Sequence, residues 1–272
     1  MDSALFIFRR DLRLDDNTAL NAALGAARTV VPCFILDPRQ TRPHAYRSDN
    51  ALRFMLESLA DLDDRLGRCG TALRVYEGVA EEVVARLVRE HKAGAVFFNR
   101  DYTPFSLARD AAIGAACTAA GAAIHSFDDA VLHAPDAVTK ASGGAYTVFT
   151  PYARRAAPMT IPRPVPRARG RFAPAGPAAT SLHRACIPPI TLSPMAHAPG
   201  GRSSGLSLLH AIPQFAAYAT TRDIPAVPTT HLSAHLKLAP YPCVRRTTPS
   251  SRRSARAIRS PRSCTGTISS PK

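Results

Sequence analysis

The stretch Ala4-Leu-Phe-Ile-Phe8, followed by Arg9-Arg-Asp-Leu-Arg-Leu-Asp-Asp-Asn17, decides the fold. Residues 4–8 form a short continuous apolar run, which is typical of a strand buried on both faces of a parallel sheet. The charged residues 9–17 predict a loop at the end of that strand, in which Asp16 or Asn17 can cap a helix beginning at Thr18. Strand, loop and helix in this order predict the first unit of an α/β fold.

The same alternation continues as far as residue 127. Apolar runs predict four further strands, and helical spacing of leucine and valine predicts the helices between them. The strands are predicted at 29–36, 73–76, 95–98 and 122–127, and the later helices at 47–68, 81–91 and 104–120. We therefore predict a Rossmann-like five-stranded parallel sheet with helices on both faces.

Ligands of such sheets bind at the carboxyl ends of the strands, where the loops 9–17, 37–42 and 99–105 should gather. The chain has no GxGxxG after the first strand, which disfavours a dinucleotide-binding dehydrogenase, and no GxxxxGK[ST], which excludes P-loop enzymes. Taken alone, Arg9, Arg10, Asp11 and Arg13 predict a solvated loop with mutual ion pairs.

Charge and proline divide the chain near residue 158. Residues 1–157 carry 19 basic and 19 acidic residues, whereas residues 158–272 carry 16 basic residues and one acid, Asp223. The same boundary separates 6 prolines from 18. The first part therefore has the composition of a globular domain, and the second that of a basic, proline-rich chain that buries little core.

Six cysteines show no metal-ligand spacing, and the nine histidines complete no metal site with them. Without a visible signal peptide or membrane-length apolar run, we expect free thiols in a reducing, cytoplasmic protein with no bound metal and no membrane contact.

Five segments, at residues 8–17, 34–38, 52–66, 99–104 and 146–152, resemble in order the N-terminal part of the DNA photolyase/cryptochrome family. The resemblance implies a class I-like photolyase, which repairs cyclobutane pyrimidine dimers in damaged DNA by light-driven electron transfer from reduced FAD. Two alternatives remain open at this point. One is a cryptochrome-like blue-light photoreceptor, and the other is a non-catalytic α/β ligand-binding domain with a disordered tail.

The resemblance divides the chain into four parts. Residues 1–135 form an antenna-binding α/β domain, 136–202 a proline-rich linker, 203–238 the start of an all-α FAD-binding domain, and 239–272 a basic disordered tail. Because most of the helical domain and every tryptophan are missing, we expect a truncated monomer with no catalytic residues and no repair activity of its own. A shifted reading frame after Leu238 is our hypothesis for the tail.

Candidate cofactor residues lie between 218 and 233. By spacing, Thr229, Thr230 and Ser233 can either cap a helix or surround a phosphate. The resemblance assigns FAD contacts to six residues and a DNA-backbone contact to Arg222; the six are Tyr218, Thr229, Thr230, His231, Leu232 and Ser233. Pro228 stands where the family usually has glycine, and proline cannot adopt a positive φ, so the phosphate clamp departs from the family's pattern.

The resemblance also implies an antenna chromophore in the pocket of the α/β domain. Folate-binding members carry a carboxylate where this chain has Ser106, so a folate antenna is not supported. A deazaflavin, another pigment or no antenna remain open.

Overall fold

The computed structural model describes residues 1–161, 163–175, 199–221 and 223–238. The predicted DNA contact Arg222, the linker residues 176–198 and the predicted tail 239–272 lie outside the described residues. Among the helices that are described, none is both long enough and apolar enough to cross a membrane.

Five parallel strands form one sheet in the order β3-β2-β1-β4-β5. The strands are β1 Ser3–Phe8, β2 Thr29–Leu36, β3 Arg74–Glu77, β4 Ala95–Asn99 and β5 Ala123–Phe127. β1 is central because its apolar run pairs along its whole length with β2 and on its other side with β4. The predicted fold class and all five strands are confirmed, with shifts of one residue at some ends.

Nine α-helices accompany the sheet within the described residues. They are α1 Thr18–Ala26, α2 Pro38–Thr41, α3 Asp49–Gly67, α4 Ala80–Glu90, α5 Pro104–Ala119, α6 Phe149–Ala156, α7 Arg202–His210, α8 Tyr218–Thr221 and α9 Ser233–Lys237. Asn17 caps α1 by accepting a hydrogen bond from the Leu20 amide. Ser48 and Thr103 cap α3 and α5 in the same way.

Helices cover both faces of the sheet. On one face, α1 and α3 bury Leu20, Leu59 and Leu62 against Phe6 and Phe8. On the other, apolar residues of α4 and α5 pack on Leu5, Ile7 and Val96. The apolar stripes read from the sequence therefore face the sheet, as expected for amphipathic helices.

One predicted helix is wrong in extent. Leucine spacing predicts a helix over 206–219, but α7 ends at His210 and a short 3₁₀ turn, Ile212–Phe215, follows. Pro213 explains the break, because its ring removes a backbone donor and clashes with the preceding helical turn.

The start of α7 is fixed to the middle of α3. The backbone N–H groups of Gly200, Gly201 and Arg202 donate to side chains of α3, namely Glu57, Ser58 and Asp61. The chains approach so closely that a Cβ on Gly200 would lie 2.5 Å from the carbonyl oxygen of Phe54. Glycine is therefore required at this contact.

We expect Gly200→Ala to weaken the docking of α7 by about 1–3 kcal/mol, since the backbone oxygen opposite the new methyl group cannot move aside cheaply. Tryptic cleavage after Arg202, followed by mass spectrometry, should accelerate about tenfold or more, because cleavage follows the opened population. Gly67→Ala is the control, since nothing lies within 4 Å of that position. An unchanged cleavage rate for Gly200→Ala would show that the close approach is not required.

Candidate functional site

A cavity of about 1500 Å³ opens at the carboxyl ends of the strands. The three loops predicted from the sequence all contribute to its wall, through Arg9 and Arg10, Asp37 and Arg39, and Asp101 and Phe105. The start of α3, residues from α7 and residues 231–238 complete it. The volume exceeds the roughly 300–1,000 Å³ of common small-molecule pockets, so the cavity can accept a large organic ligand.

A buried polar network fixes the loop after β1. The Asp11 carboxylate accepts hydrogen bonds from the Arg9 amide at 2.7 Å and from the side-chain amides of Asn17 and Asn99. Asn99, the last residue of β4, in turn accepts from the amide of Ala19 in α1. Burial, followed by the nearby charge of Asp129, raises the pKa of Asp11. The network joins the ends of β1 and β4 to the start of α1 and so sets the position of the cavity wall.

The prediction of a solvated loop is wrong. Arg13 is 1% exposed and Asp11 2% exposed, and Arg9 is buried as well. Their partners lie far along the chain, with Arg13 on Asp129 at 2.6 Å and Arg9 on Asp110 at 2.8 Å. Sequence spacing alone could not reveal these long-range partners, and charges without visible partners are normally assigned to the surface.

Several arginines in the cavity wall are held by carboxylates. Arg10 pairs with Asp101 at 3.0 Å. Arg39 bridges Asp37 at 2.6 Å and Glu81 at 2.9 Å. Burial alone would raise the pKa of Asp37, but hydrogen bonds from Arg39 outweigh it and hold that pKa below its usual value. These pairs fix the guanidinium groups in place before any ligand arrives.

Arg9 and Arg109 share one carboxylate. Asp110 binds Arg9 at 2.8 Å and Arg109 at 3.1 Å, and the Arg9 guanidinium lies 3.7 Å from the centroid of the Phe98 ring. Burial and the charge of Arg109 lower the pKa of Arg9 to about 10, so it stays charged at neutral pH. The Nη2 atoms of Arg9 and Arg109 are buried without a hydrogen-bond partner. More cationic side chains (Arg9, Arg10, Arg39, Arg47, Arg109 and Lys237) than carboxylates (Asp37 and Asp101) line the cavity, which favours an anionic ligand.

The segment at residues 231–238 closes the cavity from the other side. The Leu12 amide donates to the carbonyl oxygen of Leu238, and the Arg10 side chain donates to that of Lys237. Of the six predicted FAD contacts, His231 and Ser233 line this cavity, and Leu232 is buried beside it. Tyr218, Thr229 and Thr230 do not line it.

The predicted helix cap does not form at this segment. α9 begins at Ser233 after Leu232, and no side-chain hydrogen bond caps it. The positive φ expected from the family's glycine falls on His231, at 49°, rather than on Pro228. The left-handed backbone conformation therefore occurs at His231 and not at Pro228, because proline cannot adopt it.

His235 of α9 is fully buried, with its ring centroid 4.8 Å from that of Phe54 on α3. Burial lowers the pKa of His235 below its usual 6.5. The folded protein therefore disfavours the protonated ring, so the stability from this contact is complete above about pH 6.5 and decreases below it. The decrease can reach about 1.4 kcal/mol per pH unit.

We expect the urea midpoint of the wild type to fall more between pH 7.5 and 5.5 than that of His235→Phe, which cannot be protonated. Equal shifts for the two proteins would mean that His235 does not titrate during unfolding.

Ser106 is buried and donates to the Asp101 carboxylate, so it supports the cavity loop from behind. Cys33, Cys69 and Cys117 are free thiols, as expected. Burial raises the pKa of Cys33 to about 12 and that of Cys117 to about 11, which keeps both protonated. In the part of the chain that the structure describes, no three His, Cys, Asp or Glu residues gather as a metal site would require.

The DNA photolyase family model matches residues 4–169 of this chain, which include the sheet and both of its helical layers. The chain belongs to the DNA photolyase family. The deoxyribodipyrimidine photo-lyase of a Synechococcus strain is 32% identical over 161 residues, covering 59% of this chain and 33% of the relative. Cryptochrome-2 of Gallus gallus is 42% identical over 106 residues, covering 39% of this chain and 18% of the relative.

Solved photolyases have the same architecture. The Sulfolobus tokodaii photolyase, described with two FAD molecules that imply a novel light-harvesting cofactor, superposes with a TM-score of 0.79 at 34% identity, covering 94% of this chain and 56% of that one. A class III photolyase from Agrobacterium tumefaciens gives 0.80 at 28% identity, covering 95% and 55%. This photolyase-family chain therefore spans little more than half the length of its solved relatives.

Proposed function

We propose that this chain holds a light-harvesting flavin, FAD, in the cavity at the carboxyl ends of its strands. The observation that carries the proposal is the cavity itself, whose wall combines paired arginines, the Phe105 ring and the two guanidinium groups of Arg9 and Arg109 that share Asp110. When bound, FAD would supply absorption of blue light. The protein's part is to bind the flavin, orient it and exclude water from it.

The residues present fit a flavin nucleotide. The cavity has room for a ring system joined to a nucleotide, and Arg39 and Arg109 both lie near the face of Phe105, at 5.3 and 5.8 Å from its centroid. A phosphate near Arg9 and Arg109 would balance the second guanidinium, which Asp110 alone does not neutralise. The photolyase described with two FAD molecules supports the choice of FAD over other pigments.

The wider role in our proposal is that of the N-terminal part of a deoxyribodipyrimidine photolyase, which repairs cyclobutane dimers in DNA with light. Residues 1–135 are assigned to the chromophore-binding domain and 203–238 to the start of the helical flavin domain. Tyr218, Thr229, Thr230, His231, Leu232 and Ser233 are proposed contacts of the repair flavin in that longer architecture, and Arg222 a contact of the DNA backbone. We expect no dimer repair by this chain alone.

Titration of the purified chain with FAD tests the proposal, with bound flavin measured by equilibrium dialysis and by quenching of flavin fluorescence. We expect one site with a dissociation constant of about 1 μM, a free energy of about −8 kcal/mol. Riboflavin, which has the same ring without phosphate, is the matched ligand and should bind at least about tenfold more weakly. No FAD binding at a hundredfold higher concentration would overturn the proposal.

A further inference from the structure

After α6, the chain carries a row of arginines on the face of the sheet that α1 covers. Residues 163–171, the arginine segment, read Arg-Pro-Val-Pro-Arg-Ala-Arg-Gly-Arg, and no acid occurs between Asp136 and Asp223. We propose that the arginine segment and the small pocket beside it bind the phosphate backbone of a nucleic acid. This surface shares no lining residue with the flavin cavity and does not depend on it.

The arginine segment is held in one conformation. Val165 exchanges backbone and side-chain hydrogen bonds with Asp16, and Asn21 of α1 binds the backbone of residues 166 and 168. Further on, Arg171 and Ala173 pair with Val30 at the start of β2. A Cβ on Gly170 would lie 2.9 Å from Leu24, so the backbone is in close contact with α1. The charges are therefore presented by a rigid support.

Side chains of the segment alternate between the core and solvent. Ala168 and Phe172 pack against the hydrophobic core, whereas Arg167, Arg169 and Arg171 are exposed. Successive outward side chains on an extended chain lie about 6.6 Å apart. One strand of duplex DNA carries a charge about every 3.4 Å along its axis, so arginines at this spacing can each contact a separate phosphate. Arg163, Arg169 and Arg171 form no ion pair with a described residue, so their charges are available.

The pocket beside the segment adds a place for one phosphate group. It measures about 370 Å³ and is lined by Arg65, Arg68 and Arg167 together with Cys69 and a single carboxylate, Asp15. Asp15 pairs with Arg65 at 3.1 Å and lies 3.7 Å from Arg202. The Nη1 atom of Arg65 is buried without a hydrogen-bond partner. Positive charge thus exceeds negative charge in a pocket continuous with the arginine row through Arg167.

A nucleic acid fits this surface better than an anionic membrane does. Val165 is the one large hydrophobic side chain exposed within the arginine segment, at 55%. Membrane-surface segments pair their basic residues with several inserted aromatic or aliphatic side chains. An evenly spaced row of cations on a rigid backbone instead suits a polymer with evenly spaced phosphates.

Fluorescence anisotropy with a labelled DNA duplex tests the inference on the full chain. The variant Arg167→Gln/Arg169→Gln/Arg171→Gln should bind at least about tenfold more weakly in 50 mM salt. Its plot of log affinity against log salt concentration should be shallower by about 2.7, since each lost phosphate contact removes about 0.9. Thermal melting checks that the variant remains folded, as expected for exposed positions.

The matched control is Arg86→Gln/Arg89→Gln/Lys92→Gln, which removes the same charge from α4 and the turn after it, on the opposite face of the sheet. This control variant should keep the wild-type dependence of DNA affinity on salt. That result would distinguish the contribution of the arginine segment from the effect of net charge. It would also exclude the basic residues 245–272 as the cause of any difference, because every variant contains them. Equal losses in the two triple variants, or no loss in either, would overturn the inference. The inference would also be overturned if the Arg167→Gln/Arg169→Gln/Arg171→Gln variant lost binding to phosphatidylserine vesicles but bound DNA as well as the wild type does.

The reactivity of Cys69 tests whether the duplex binds at this pocket. Because this thiol lies in the pocket, bound duplex should slow its alkylation by iodoacetamide several-fold, as followed by mass spectrometry of the peptide that contains it. The protection should disappear in the arginine-segment variant. A Cys69 alkylation rate that is unchanged by saturating duplex would contradict binding at this surface.

Discussion

Asp129→Ala is expected to destabilise the protein by about 3–5 kcal/mol, because it removes the carboxylate that pairs with the buried guanidinium of Arg13. The Arg13 side chain is 1% exposed and that of Asp129 is 3% exposed, and the two meet at 2.6 Å. Asp129 also accepts hydrogen bonds from the amide and hydroxyl of Thr18, at the start of α1. The substitution therefore disrupts both the charge pair and the attachment of the first helix.

Urea unfolding followed by circular dichroism measures this loss as a lower midpoint at unchanged slope. Asp2→Ala is the control, since it removes the same side chain from an exposed pair with Arg28 at 3.6 Å, and it should leave the midpoint unchanged. If Asp129→Ala unfolds at the wild-type urea concentration, the Arg13 pair does not hold the loop after β1.

The second large effect is expected from Ala51→Trp. Ala51 lies in the first turn of α3 and lines the cavity proposed to hold the flavin, without belonging to the hydrophobic core. An indole at this position would occupy space that the flavin needs, and such overpacking typically costs about 1–3 kcal/mol. The affinity for FAD should fall about 10- to 100-fold, while the urea midpoint stays close to that of the wild type.

Ala111→Trp provides the matched comparison, because Ala111 is exposed on α5 and does not line the cavity. It should bind FAD like the wild type. Equal FAD affinities for the wild type and Ala51→Trp would place the flavin elsewhere on the protein.

The sheet was predictable because its signals are local. The run at residues 4–8 is apolar at every position, and a strand buried on both faces requires that pattern. Loop lengths and the helix caps Asn17, Ser48 and Thr103 then define where α1, α3 and α5 begin. Leucine spacing predicts a continuous helix through Pro213, but the ring of proline is itself a strong local signal for a break there.

The cavity was only partly predictable. Strand polarity brings the loops containing Arg9, Asp37 and Phe105 to one edge of the sheet, so their meeting could be expected from the fold. The contributions of Ala51 and His231 could not, because they depend on how distant segments dock on α3 and on the loop after β1. The same limit applies to Arg13, whose burial depends on an aspartate 116 positions away.

A crystal structure of this chain grown with FAD tests the proposed flavin site most directly. We expect flavin density within the cavity, bordered by Phe105, Ala51 and His231, with phosphate near Arg9 and Arg109. FAD bound at another surface, or a cavity containing only solvent at a saturating FAD concentration, would show that this cavity does not hold the flavin.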